Sequence, residues 1–217
     1  MTYQAIAILG GTFDPIHNGH LQTAVDLYQN LPLKETRLIP CKQPVHKDKA
    51  HASADQRLDM LKSAIVGEPG LVIDQRELLA DRASYIVETL EELQADLPDN
   101  ILCLSLGMDS FCSLPTWHRW QEIIELAHII VIPRPGKSEQ DIQHAVLQNW
   151  WQQRLTDNKN TLLKQKTGLI YQQPVTSMDI SSTRVRELAA QGKSARYMVP
   201  EKVWDYIQKH NLYGYHS

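Results

Sequence analysis

The sequence predicts an α/β protein, a Rossmann-like, doubly wound, mostly parallel sheet with helices on both faces. Three observations predict it. Short apolar runs of strand length alternate along the chain with longer runs at helical spacing. Two of the short runs, residues 101–106 and 127–132, are apolar almost throughout, as strands covered on both faces are. A double glycine closes the first run and leads toward a helix start. No internal repeat or linker-like segment interrupts the pattern, so residues 1–217 read as one domain.

Residues 3–9 (YQAIAIL) form the first strand, ending at Gly10-Gly11. From His20 the period changes: Leu21, Ala24, Val25, Tyr28 and Leu31 recur at helical spacing until Pro32 stops the run. Residues 36–40 read as a strand, 54–66 as a helix ended by Gly67, and 71–74 as a short strand. Ile86, Leu90, Leu93 and Leu97 mark a helix with Ser84 as its N-cap. The central strand, 101–106, runs into Gly107; residues 117–126 are helical behind Thr116, and 127–132 are a buried strand. Residues 138–155 are amphipathic and helical, 157–160 a polar loop, and 169–173 the last strand. Two helices, from about Ser182 to Gln191 and from Pro200 to His210, close the chain.

Composition bounds the function. Hydrophobic residues are 42% and charged residues 22%, which supports a folded core and excludes a disordered chain. The formal charge of −3 gives no sign of a protein that coats nucleic acid or an anionic membrane. The N-terminal run lacks the basic start of a secretory signal, and no stretch approaches the ~20 apolar residues of a membrane span. Cys41, Cys103 and Cys112 are odd in number and lack C-x-x-C spacing, which fits reduced thiols and a cytoplasmic location. Assembly into a homo-oligomer stays open.

The chemistry concentrates in turns that follow strands, where open α/β sheets bind ligands. In Gly10-Gly11-Thr12-Phe13-Asp14-Pro15-Ile16-His17-Asn18-Gly19-His20 the glycines let backbone amides approach a ligand, and the helix beginning near His20 adds a positive dipole end. That favours phosphate. The loop lacks the Gly-Lys-Ser/Thr of a P-loop and the spacing of a dinucleotide fingerprint, offering His17 and His20 in place of lysine. Against an anion the two imidazoles act as N–H donors, strengthened by protonation. A zinc pair would need further ligands that no Cys or His cluster provides, so no metal ligand is assigned. A surface turn with idle histidines is the bland alternative.

GGTFDPIHNGHL resembles the signature of the HxGH nucleotidyltransferases, which transfer nucleotidyl groups from ATP or CTP. The resemblance implies that His17 and His20 hold the nucleotide's triphosphate as catalytic donors, with Gly10, Gly11, Thr12 and Phe13 around it. Ile180-Ser181-Ser182-Thr183-Arg184-Val185-Arg186 by itself is a helix N-cap with hydroxyls and an arginine one turn in. It also resembles the I-S-S-T-x-x-R motif that closes the ATP site in the same superfamily. On that basis Ser182, Thr183 and Arg186 hold the β- and γ-phosphates, and Arg184 is exposed.

Gly107-Met108-Asp109-Ser110 followed by Trp117 resembles the G-x-D-x(7)-W segment of nicotinate-nucleotide adenylyltransferases. The resemblance implies that Gly107 and Asp109 border the adenosine and that Trp117 stacks on the pyridine ring, while Trp120 belongs to the core. Residues 41–47 (CKQPVHK) sit where that family has a P-P-H-K-like loop, giving His46 and Lys47. Residues 81–90 (DRASYIVETL) match its S-Y-T-x-x-T-L segment, giving Ser84 and Tyr85, and Arg134 matches an R-P-G turn. Val45 and Ile86 depart from the pattern, Ile86 removing a hydroxyl. The resemblance implies that the nicotinate carboxylate is held largely by main-chain amides, at positions matching Ile86 and His118. The implied partners are ATP and nicotinate mononucleotide, with Mg²⁺ carried mainly on the ATP phosphates. Sibling enzymes for nicotinamide mononucleotide or phosphopantetheine, and a non-catalytic nucleotide sensor, are the alternatives.

Overall fold

The computed structural model describes residues 4–42, 50–134 and 136–216. From the N-terminus, β1 (Gln4–Gly11), α1 (Asn18–Asn30), β2 (Leu33–Pro40), α2 (Ala54–Ala64) and β3 (Leu71–Ile73) form the first half of the sheet. Helices α3 (Arg76–Leu79) and α4 (Ile86–Asp96) cross to β4 (Asn100–Gly107), and α5 (Met108–Ser113) and α6 (Trp120–Leu126) to β5 (His128–Ile132). The chain then runs through α7 (Ala145–Arg154), β6 (Leu155–Thr156), β7 (Ile170–Gln172), α8 (Ser182–Ala190) and α9 (Glu201–Lys209).

Among the described residues the sheet has seven strands in the order β3-β2-β1-β4-β5-β7-β6, all parallel. The chain winds outward from β1 to β3, returns to β4 beside β1, and then winds the other way. The β1/β4 junction is therefore the switch point, where loops at the strands' carboxyl ends diverge and leave a crevice. Gly11 pairs with Pro40, and Gly107 with Ile132, so these strand ends finish level at its floor.

Both faces are buried, which explains the unbroken apolar runs. Leu102, Leu104, Leu106, Ile129 and Val131 pack with residues of α4, α5, α6 and α7. Ala5, Ala7, Ile101, Cys103, Ile130 and Ile132 turn the other way, against Leu27 of α1 and Leu31 at its C-cap. Burial of Cys103 pushes its thiol up to about 12, and the three cysteines are free. A third cluster joins Phe13 and Ile16 of the first loop to α2, α8 and α9. Fully burying a side chain such as Ile16 is worth roughly 1.5–3 kcal/mol, so the loop is anchored from beneath.

Several boundaries correct the sequence reading. Helix α6 begins at Trp120 rather than 117, because Leu114–Thr116 is a 3-10 turn and Arg119 is left-handed. Only Ala145–Arg154 of the expected 138–155 helix is α-helical; its start is a separate 3-10 turn, Glu139–Asp141, capped by Ser138. Strand β2 begins three residues earlier than 36, where its pairing with β1 extends it. The N-cap of α4 is Tyr85, not Ser84, and carries no side-chain cap. Helices α3 and α5 and strand β6 are short elements whose pairing and packing are set by tertiary contacts.

Candidate active site

Strand β1 ends in a turn whose two glycines do different jobs. A Cβ on Gly10 would meet nothing within 4 Å, so its backbone borders open space, whereas one on Gly11 would lie 2.9 Å from the Phe13 ring. Phe13 itself adopts φ 47, a left-handed conformation that an aromatic residue holds only when its surroundings fix it. Its buried ring meets His20 edge-on, with ring centroids 5.2 Å apart.

His17 is the N-cap of α1. Its Nδ1 accepts the His20 backbone N–H at 3.3 Å, and the two imidazoles stack with centroids 3.6 Å apart. Because Nδ1 spends its lone pair on the cap, the ring proton sits on Nε2 as a donor. His17 is 6% exposed. Burial, then the nearby Arg134 charge, lower its pKa to about 4. In the free protein His17 is thus a neutral single donor at pH 7, without the added strength that protonation would give. A Cβ on Gly19 would press to 3.2 Å on the His17 ring, so the intervening Asn-Gly leaves room for the stack.

The second motif arrives on the same loop. Ser181 caps α8, its hydroxyl accepting the Arg184 N–H. The Ser182 hydroxyl donates to the Pro15 carbonyl at 2.9 Å, and Arg186 Nη1 to the Asp14 carbonyl at 2.7 Å. Arg186 Nη2 reaches the Thr183 hydroxyl at 3.3 Å. Val185 and Ala189 share the core of Phe13 and Ile16. Thr183 is exposed, as is Arg184, which pairs with Glu187. The N-termini of α1 and α8 are thereby tied together, although Ser182 has spent its donor on the loop.

The opposite wall comes from β4, β5 and α4. Gly107 caps α5 and Asp109 sits in its first turn, paired with Arg134 Nη1 at 3.3 Å. A Cβ on Gly107 would lie 2.6 Å from the Asp109 carboxylate, so glycine admits this side chain. The Lys42 N–H donates to the Ser84 hydroxyl at 3.3 Å, joining the end of β2 to the approach to α4. Tyr85 and His118 meet ring to ring at 4.5 Å, bringing the start of α4 and the segment before α6 together. Ile86 opens α4, so its N–H has no intrahelical acceptor. Trp117 is half-buried against the core, while Trp120 contacts the Trp150 and His144 rings at 5.0 and 5.3 Å. His46 and Lys47, with Val45, lie outside the described residues.

Sequence reasoning assigned no role to three residues that hold this site. The buried Asp14 carboxylate accepts from the His51 and Ala52 N–H groups at 2.7 and 3.1 Å and from the Tyr213 hydroxyl at 2.8 Å. Burial and that carboxylate push the Tyr213 phenol up, keeping it a neutral donor. Arg57, on α2, is buried and donates to backbone carbonyls of both loops. Asp14 stands inside the first motif and was findable there. Arg57 and Tyr213 carry no local signal. Thr89, within the matched S-Y segment, donates to buried Glu77 at 2.8 Å, and burial raises the Glu77 carboxyl's pKa despite that bond.

Loop amides, stacked imidazoles and a hydroxyl-arginine helix start at the switch point of a parallel sheet define the nucleotidyltransferase class. Residues 8–188 match the Cytidylyltransferase-like family. The chain is 44% identical to a Hahella chejuensis protein named Probable nicotinate-nucleotide adenylyltransferase, over 98% of this chain and 97% of that one. It is 43% identical to an Aeromonas salmonicida protein of the same name, over 96% of each. The chain belongs to the nicotinate-nucleotide adenylyltransferase family. Its fold is similar to that of Plasmodium falciparum nicotinic acid mononucleotide adenylyltransferase complexed with NaAD, with TM-score 0.74, 19% identity and 99% of each chain covered.

Proposed function

We propose that this chain transfers the adenylyl group of ATP to nicotinate mononucleotide, giving nicotinate adenine dinucleotide and pyrophosphate, a step of NAD biosynthesis. The observation that carries the reading is the joining of α8 to the His17–His20 loop by the Ser182–Pro15 and Arg186–Asp14 bonds. One polyphosphate can then be met from both sides.

The nucleophile is the mononucleotide's own phosphate oxygen, ionised at neutral pH, so no general base is required. It attacks the α-phosphorus in line; the bond from the α-phosphorus to the α–β bridging oxygen breaks, and that oxygen leaves with the electron pair as part of pyrophosphate. The protein's task is alignment and charge stabilisation. His17 donates through Nε2, beside His20, Thr183, the remaining Arg186 N–H groups and the amides after Gly10. Ser182 serves by holding the loop. Gly107 and Asp109 border the adenosine, Arg134 being released from Asp109 toward phosphate. Trp117 carries the pyridine ring, with Tyr85 and Ser84 beside it, and the amides of Ile86 and His118 receive the carboxylate.

Among the described residues no three His, Cys, Asp or Glu side chains converge as a metal cage. The cleft's donors suit a magnesium ion carried by phosphates and water, which supplies charge neutralisation on the leaving group. Free thiols support a cytoplasmic setting, and among the described residues no helix is long and apolar enough to cross a membrane.

Pyrophosphate release should be measured with ATP and, in parallel, nicotinate mononucleotide, nicotinamide mononucleotide and phosphopantetheine. Turnover should be fastest with the nicotinate compound. Preference for either other acceptor, or ATP binding without turnover on all three, overturns the reading.

A further inference from the structure

Arg57 stands on α2, outside every motif, yet its side chain is 1% exposed. Its Nη1 donates to the Thr12 carbonyl at 2.6 Å and the Cys41 carbonyl at 2.8 Å, and its Nη2 to the Lys42 carbonyl at 3.0 Å. Its Nε is buried with no hydrogen-bond partner, and no carboxylate forms a salt bridge with it among the described residues. A buried cation served only by carbonyls is costly, and one left with an unsatisfied donor more so. Stability alone would favour an apolar residue here.

The three carbonyls explain its presence. A peptide group is planar and trans, so fixing its C=O inward turns the next N–H outward. Held by Arg57, the Thr12 carbonyl directs the Phe13 N–H away from α2, and among the described residues that N–H donates to nothing. Held the same way, the Cys41 carbonyl directs the Lys42 N–H to the Ser84 hydroxyl across the cleft. The Phe13 backbone is left-handed, so this peptide needs an outside restraint. We propose that Arg57 is a positioning residue, which orients the Thr12–Phe13 peptide as a polyphosphate donor and lends it positive polarisation from below. The inference rests on the adenylyl-transfer reading, because it takes the polyphosphate to lie on this loop.

Arg57→Lys keeps the charge but gathers its donors on one nitrogen, without the planar fork that spans the Thr12, Cys41 and Lys42 carbonyls; Arg57→Met removes both charge and donors. Below the melting temperature of each variant, KM for ATP and the inhibition constant of tripolyphosphate should rise on the order of ten- to a hundredfold, Met more than Lys. KM for the mononucleotide should change far less. A purely structural arginine would instead lower kcat through a smaller active fraction and leave both ATP-side constants unchanged, which overturns the proposal. If neither variant folds, the Arg57 guanidinium signals of the wild-type protein, observed by nitrogen-15 NMR, should shift when tripolyphosphate is added; no shift overturns it. Failure of the wild-type protein to turn over ATP with any mononucleotide refutes the functional reading itself and is seen before any variant is compared.

Discussion

The two walls of the cleft are built on different principles. The wall proposed to hold phosphate is pinned from behind: Asp14 receives three hydrogen bonds, Ser182 and Arg186 grip backbone carbonyls, and Phe13 and Ile16 are buried. The wall proposed to hold the acceptor is lighter. Tyr85 and His118 rest ring on ring, Trp117 is half-buried, and Asp109 and Arg134 pair across solvent with side chains 46% and 60% exposed. Charge that develops during the reaction must be met by groups already in place, whereas an aromatic substrate can be clasped by side chains that settle onto it. On the proposed mechanism, rigidity is concentrated where the transition state differs most from the substrate.

Breaking the phosphate wall should have the largest effect. His20→Ala should lower turnover by ~10²–10³ with the fold intact by circular dichroism, since one preorganised donor is lost. Near-normal turnover would remove His20 from the chemistry. The next effect is on stability. His17 has a pKa of about 4 when folded against 6.5 as its ordinary value, so the unfolded chain binds the proton more readily. Its contribution is fully present above pH 6.5 and is lost as pH falls toward 4, a swing on the order of 3 kcal/mol. His17→Asn retains a cap acceptor and should flatten this dependence in urea unfolding at pH 7 and pH 4.5. Equal pH dependence in both proteins would contradict the burial account.

Effects on the acceptor wall should be smaller and confined to binding. Trp117→Ala should raise KM for the mononucleotide about tenfold, as loss of one stacked ring does, and leave KM for ATP nearly unchanged. A rise in both constants would erase the distinction between the walls. Smallest of all, Asp109→Asn should move the unfolding free energy by less than about 1 kcal/mol, because the pair with Arg134 is solvated. A larger loss by chemical denaturation would make the acceptor wall as structural as its neighbour.

The same contrast governs what could be read from the residues alone. Gly10, Gly11, His17 and His20 lie within one short segment, so strand, turn and the paired imidazoles are local and legible, although α1 begins at Asn18 with His17 as its cap rather than near His20. Strand alternation gave the parallel sheet for a similar reason: burial on both faces leaves continuous apolar runs. Long-range partners were hidden. Arg57 sits in an ordinary amphipathic stretch, and Tyr213 reaches Asp14 from 199 positions away. Short elements such as β6 and α5 exist because neighbours pair or pack with them, and two to six residues carry too little periodicity to show it. The depressed pKa of His17 follows from burial that no spacing reports.

The most direct test is a crystal structure with a non-hydrolysable ATP analogue and nicotinate mononucleotide bound together. The polyphosphate should lie between the His17–His20 pair and the Thr183–Arg186 helix start, with the pyridine ring against Trp117. A polyphosphate bound away from either group would contradict the account.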